Sequence, residues 1–136
     1  MIVADANLIA AYCITSPLTA TAKQVFAKDR AWIAPKLWQS EFVSALLKYH
    51  RARQVSDDEA MRAIYLAHSL MRGMDYDSDL HKVFAVARRT TCSAYDSCYV
   101  ALAEEMRMRV VTTDGGMVTN APHVAMSPEQ YLAEVF

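Results

Sequence analysis

Ile2-Val3-Ala4-Asp5-Ala6-Asn7-Leu8-Ile9-Ala10-Ala11-Tyr12 carries the reading of the fold. Three apolar residues with no polar alternation describe a strand buried on both faces, and such strands belong to parallel sheets covered by helices. Asn7 to Tyr12 then reads as a short helix, and a strand feeding a helix opens an α/β unit. Asp5 therefore stands at the carboxyl end of a strand. There its carboxylate either caps the helix or faces a ligand.

The same signature returns late in the chain. Arg109-Val110-Val111-Thr112-Thr113 is apolar and β-branched, and Asp114-Gly115-Gly116 stops it; Asp-Gly is also a frequent turn. Between the two, Pro17 to Lys28 reads as a helix, and Ala31-Trp32-Ile33-Ala34 as a strand closed by Pro35. From Lys36 to about Arg53, Trp38, Phe42, Ala45, Leu46 and Tyr49 recur at helical spacing. Ser56-Asp57-Asp58-Glu59 is a capping box that starts a helix through Met71. Met74 to Asp77 is a turn or short strand. Ser78 is expected to cap a helix containing Leu80, Val83, Phe84 and Ala87 and ending at Arg88-Arg89, followed by a helix from Tyr95 to Met106. Val124-Ala125-Met126 is a last strand, and Ser127-Pro128-Glu129-Gln130 starts a final helix with Ser as N-cap and Pro at its first position. This alternation predicts an α/β fold, one domain over residues 1–136, with ligands collecting outside the carboxyl ends of a short parallel sheet.

Composition bounds the function. The chain of 136 residues is long enough to bury a core without disulfides, and three Gly and four Pro leave no room for a flexible linker. Fourteen basic and fifteen acidic residues give a net charge of -1, so binding to nucleic acid must rest on local patches. Cys13, Cys92 and Cys98 form no C-x-x-C pair and the four His are scattered. That argues against a disulfide framework and against a zinc site, and it fits a reducing, cytoplasmic setting. The start of the chain lacks the basic region of a signal peptide, and no stretch approaches the ~20 apolar residues of a membrane span.

Four acids lie in or beside apolar stretches: Asp5, Glu41, Asp96 and Asp114. Glu41 is three residues from Trp38 and four from Ala45, so it borders the buried face of its helix, unless it pairs with a base such as Lys48. Asp96 completes a Ser93-Ala94-Tyr95-Asp96 capping box, in which its carboxylate would reach back to Ser93. If the four instead share one edge of the sheet, their mutual repulsion raises their pKa values and asks for a cation. All-oxygen ligands, with Asn7, Thr112 and Thr113 as neutral supplements, suit Mg²⁺ or Mn²⁺. An ion so held takes phosphate oxygens and activates water, which is the chemistry of phosphodiester hydrolysis.

Val3-Ala4-Asp5-Ala6-Asn7-Leu8, Ser40-Glu41-Phe42-Val43-Ser44-Ala45-Leu46, Tyr95-Asp96-Ser97-Cys98-Tyr99-Val100-Ala101-Leu102-Ala103-Glu104 and Val111-Thr112-Thr113-Asp114 follow one another in this order. In that order they resemble the PIN domain nucleases, and among them the VapC-type toxins of type II toxin–antitoxin pairs. The resemblance implies a PIN-like three-layer α/β/α sandwich, a Mg²⁺-dependent endoribonuclease acting on RNA, a cognate antitoxin and a homodimer. It makes Asp5, Glu41, Asp96 and Asp114 the metal-binding acids, with Asn7 and Thr112 as auxiliary polar groups. Gly115-Gly116-Met117 departs from the pattern, since many relatives carry further charge after the last acid. A catalytically silent PIN-like module that binds RNA or protein is the alternative, and intact acids argue against it. A phosphoacceptor receiver domain would need paired acids after the first strand and a late strand-end Lys, neither of which is present.

Two further expectations concern surfaces. Lys48, Arg51 and Arg53 close the Glu41 helix and Arg88-Arg89 close another; each run either binds RNA phosphate or complements a helix dipole. On the helix from Asp57 to Met71 the residues Ala60, Met61, Ala63, Ile64, Tyr65, Ala67, His68 and Met71 sweep an arc of about 200°, where one core contact needs about 100°. The surplus is either buried more deeply than usual or is an apolar strip for an antitoxin segment or a second copy.

Overall fold

The computed structural model describes residues 1–134, so the last two positions of the expected 1–136 domain lie outside the described residues. Five strands form one parallel sheet: β1 (Ile2–Ala4), β2 (Trp32–Pro35), β3 (Asp75–Tyr76), β4 (Val110–Val111) and β5 (Ala125–Met126), in the order β3-β2-β1-β4-β5. All neighbours run parallel, with Val3 opposite Ile33 on one side and Val110 on the other. Parallel neighbours cannot be joined by tight turns, so each crossover is long enough to carry helices. Among the described residues seven helices lie in crossovers, α1 (Ala6–Cys13), α2 (Thr19–Lys28), α3 (Trp38–Arg51), α4 (Asp57–Met71), α5 (Leu80–Thr90), α6 (Ala94–Met106) and α7 (Gly115–Asn120), and α8 (Pro128–Ala133) follows the last strand. The result is the PIN-like α/β/α sandwich that the alternation and the resemblance implied.

β1 is the middle strand, and Ile2, Val3 and Ala4 are all buried. α6 packs across β1, β2 and β4 with α5 against it, while α1 gathers α2, α3 and α4. One apolar core joins the layers, with Trp32, Tyr99, Leu8 and Ile9 among its most buried large side chains. At about 25 cal/mol per Å² of apolar surface removed from water, each such side chain stabilises the fold by roughly 2–3 kcal/mol before entropy is counted.

Successive strands run outward from β1 through β2 to β3, and the chain then returns to the opposite side of β1 for β4 and β5. The order therefore reverses between β1 and β4. At such a switch point neighbouring crossovers leave toward opposite faces, and a crevice opens at the strands' carboxyl ends. Asp5 follows β1 directly, and Thr112 follows β4.

Several local expectations are corrected. Asp79, not Ser78, caps α5, because its carboxylate accepts the exposed N–H groups of His81 (3.0 Å) and Lys82 (3.3 Å). On that helix Leu80 and Phe84 point outward, 77% and 67% exposed, and Val83, Val86 and Thr90 are buried. Asp114-Gly115-Gly116 starts α7 and does not merely turn, with Asp114 as N-cap. β4 is shorter than Arg109–Thr113 because its neighbours β1 and β5 supply partners for few residues. Pro35 ends β2 from within, since its missing N–H lies at the strand's last position.

Candidate active site

Asp5 has the N-cap position of α1 but makes no side-chain cap. Its Oδ2 instead accepts a 2.7 Å hydrogen bond from the buried hydroxyl of Thr112, across the β1–β4 seam. The same hydroxyl oxygen accepts the backbone N–H of Asp114 at 2.9 Å. A hydroxyl has one proton and two lone pairs, so these two contacts fix its rotor and tie both strand ends together. Asp5 is 5% exposed, and burial pushes its carboxyl from 3.8 up to about 6, against the Thr112 hydrogen bond and with help from Glu41 and Asp96.

Asp96 sits in the first turn of α6. Ser93 Oγ accepts its backbone N–H at 3.0 Å, which is half of the capping box. The reciprocal half is not made, so the carboxylate is left for the crevice. Loss of water around it and then the nearby Asp114 and Glu41 raise it to about 6. Asp114 and Asp96 lie close enough to interact directly through their side chains. Asp114 is held by the N–H of Gly116, 2.8 Å from its Oδ1, and a Cβ at position 116 would come within 3.2 Å of that oxygen. The glycine thus brings bare backbone to the acid, which gives the departure Gly115-Gly116 a structural use.

Glu41 lies in the first turn of α3 on the border of the Trp38–Phe42–Leu46 stripe. It makes no ion pair with Lys48, which is two turns further on. Its Oε1 accepts a 2.6 Å hydrogen bond from the phenol of Tyr99, a fully buried residue of α6. Burial, with Asp5 and Glu41 nearby, pushes the phenol well above its ordinary range, so it stays a donor. Tyr99 is the site residue that the sequence hid. An aromatic side chain in the run Tyr99-Val100-Ala101-Leu102 reads as core, and only the packed fold shows its hydroxyl turned to an acid.

The four acids thus form one electrostatic group: Asp5 feels Glu41 and Asp96, and Asp96 feels Asp114 and Glu41. Asn7 is exposed beside Glu41 and lines the same groove. Among the described residues, no three of His, Cys, Asp and Glu converge on a single point as they stand. Of the basic runs, Arg89 Nη2 donates to both carboxylate oxygens of Glu104 at 2.9 and 3.1 Å, and Arg88 Cζ lies 6.0 Å from the ring centre of Phe84. That places Arg89 in the packing of α5 on α6. Met61 and Tyr65 are 62% and 76% exposed, so deeper burial does not explain the apolar arc of α4. They border a groove of about 490 Å³ with Trp38, Gln39, Ile64 and His68. No helix among the described residues is long and apolar enough to cross a membrane.

The PIN domain family pattern matches residues 2–121. Ribonuclease VapC3 of Pyrobaculum aerophilum is 25% identical over 124 residues, covering 89% of this chain and 95% of that protein. The crystal structure of PAE2754 from Pyrobaculum aerophilum superposes with a TM-score of 0.74 at 23% identity, covering 97% of this chain and 96% of that one. A toxin–antitoxin complex from Klebsiella pneumoniae contains a chain that superposes with a TM-score of 0.68 at 14% identity, covering 94% and 98%.

Proposed function

Because the chain belongs to the PIN domain family, we propose that it is a metal-dependent endoribonuclease, using Mg²⁺ or Mn²⁺, and the toxin half of a type II toxin–antitoxin pair. The observation that carries this reading is the group of four carboxylates at the sheet's switch point, two of them raised to about 6, with no Lys or Arg of the described residues among the groups that act on these two. Buried acids without a cation are costly, and a divalent ion removes that cost.

The donor set fits such an ion. Every candidate ligand is a hard oxygen, and Mg²⁺ characteristically takes one or two carboxylates while keeping waters and phosphate oxygens, so three convergent acids are not required. Asp5, Glu41, Asp96 and Asp114 would hold it, with Asn7 and Thr112 as auxiliaries. When bound, a divalent ion supplies an activated water and neutralises charge on the phosphodiester. The chain's own residues do the positioning: Thr112 orients Asp5, Tyr99 fixes one oxygen of Glu41, and Gly116 anchors Asp114. Asp96, uncommitted to its helix cap, is free to turn toward an ion.

The name of the Pyrobaculum relative supports ribonuclease activity, and the Klebsiella complex supports an antitoxin partner. The groove between α3 and α4 is assigned to an amphipathic antitoxin segment, with Met61 and Tyr65 as its exposed apolar wall and a homodimer as the working assembly. The deciding experiment incubates the purified protein with a mixed RNA substrate in Mg²⁺, in Mn²⁺ and in EDTA, beside Asp5→Asn and Asp96→Asn. Cleavage should need the metal and fall by roughly a hundredfold or more in either variant. Cleavage that persists in EDTA, or variants as fast as the parent, would refute the metal-dependent reading.

A further inference from the structure

The groove that begins at Glu41 continues well past the acids. It encloses about 410 Å³ and is lined by Asn7 from α1, by Glu41, Ser44, Lys48 and Tyr49 from α3, and by Gln54 beyond that helix. Positions 41, 44 and 48 recur at three- and four-residue steps, so they form one line along the helix. Seven residues at 1.5 Å each put the Lys48 backbone about 10 Å beyond that of Glu41, and the long, flexible Lys48 side chain can reach back along the groove from there.

Charge and shape change along this line in a way that suits a polynucleotide. The near end is acidic and belongs to the proposed cleavage site. The far end holds the groove's one cation among the described residues, Lys48, which is exposed and makes no ion pair among them. Tyr49 beside it is half-buried, so packing holds its ring in place and little side-chain entropy remains to be lost when a base stacks on it. The side-chain amides of Asn7 and Gln54 make no hydrogen bonds among the described residues and offer both donors and acceptors to a base edge. A base can enter such a groove only when it is unpaired and splayed from its neighbours, which selects single-stranded RNA.

We propose that this groove is a substrate subsite, holding the nucleotide next to the scissile phosphodiester with its phosphate on Lys48 and its base against Tyr49. The assignment rests on the endoribonuclease reading and adds to it a position that decides which RNA is cut. It also separates Lys48 from Arg51 and Arg53, which lie outside this groove.

The test measures binding of a short fluorescent single-stranded RNA to the wild-type protein in EDTA, where turnover is suppressed, across a range of salt. Lys48→Gln should weaken binding several-fold and lower the salt slope by about 0.7, the value for one phosphate contact on a single strand, and Lys48→Arg should restore both. Tyr49→Leu should weaken binding roughly tenfold with an unchanged salt slope, as loss of a stacked base does. In Mg²⁺, Lys48→Gln should raise KM on a long RNA with kcat nearly unchanged. Variants that match the parent in affinity, salt slope and KM while the parent cleaves RNA would overturn the subsite alone. A parent that neither binds nor cleaves RNA would instead overturn the nuclease reading beneath it.

Discussion

Asp5 and Glu104 are both acids with several close neighbours, and the sign of those neighbours differs. Glu104, on the outer side of α6, receives Arg89 from α5 and a 2.6 Å contact from His123 beyond α7. Partial burial pushes its carboxyl up, but the hydrogen bonds from His123 and Arg89 outweigh that and leave it below the usual range. Asp5, at the middle of the sheet, is driven up by burial and then by Glu41 and Asp96, and the Thr112 hydroxyl and the Ala6 backbone only partly oppose this. The contrast distinguishes an acid that serves the fold from one that the fold tolerates. Glu104 has a cation built in, Arg89, whereas no basic side chain is among the groups acting on Asp5.

Removing the charge at position 5 should give the largest separation between the two. A carboxyl at 3.8 in the unfolded chain and about 6 in the fold destabilises the ionised protein by on the order of 3 kcal/mol. Asn can still accept the Thr112 proton, so Asp5→Asn should stabilise the metal-free protein at pH 7.5 by up to about that amount. Between pH 4 and 6 the folded state binds the extra proton, so wild-type stability should fall as pH rises through that window and level off above it. Urea titrations across pH would show a flat profile for Asp5→Asn relative to the parent. Parallel profiles would mean that Asp5 is not under strain.

Metal should act next most strongly, and only on the wild-type pocket. At a hundred times its Kd, Mg²⁺ would add about 2.7 kcal/mol, visible as a rise in Tm. Asp5→Asn combined with Asp96→Asn should abolish that rise, and a rise of equal size in the double variant would place the ion elsewhere. Glu104→Gln should move stability the opposite way from Asp5→Asn, losing about 0.5–1 kcal/mol at neutral pH, with the loss shrinking as pH falls through the carboxylate range. A Glu104→Gln protein as stable as its parent at pH 7.5 would remove the built-in-cation half of the contrast. The smallest effect belongs to Ser97, whose buried hydroxyl has no partner among the described residues. Ser97→Ala should be neutral or stabilise by up to about 1 kcal/mol, and a clear loss by thermal melting would show that the hydroxyl is satisfied after all.

The sequence made the sheet legible because Ile2-Val3-Ala4 and Val110-Val111 are apolar without alternation, a pattern that few other environments produce. It made the acids conspicuous because each interrupts such a run. What it could not show was the direction of a side chain. Asp96 fits a capping box as well as a crevice, and only the unmade return bond to Ser93 separates the two. Asp114-Gly115 spells a turn as readily as a helix start, since both use the same Asp oxygen on the same backbone N–H two residues on. Leu80 and Phe84 are apolar residues of one helix, yet helical spacing fixes only which residues share a face, not whether that face is covered. Tyr99 was concealed by its own ring.

The seam between β1 and β4 has a consequence for the order in which the molecule comes into being. Asp5 and Thr112 are 107 residues apart, so at ribosomal speeds of 5–20 residues per second roughly 5–20 s pass between their synthesis. Throughout that interval the middle strand of the sheet lacks one neighbour, and such long-range parallel pairing is slow to form even once both halves exist. Asp5 cannot be anchored, nor Asp114 brought beside Asp96, until the late strand docks. A growing chain therefore carries its four acids apart, and can bring them together at one sheet edge only after Thr112 and Asp114 have been made.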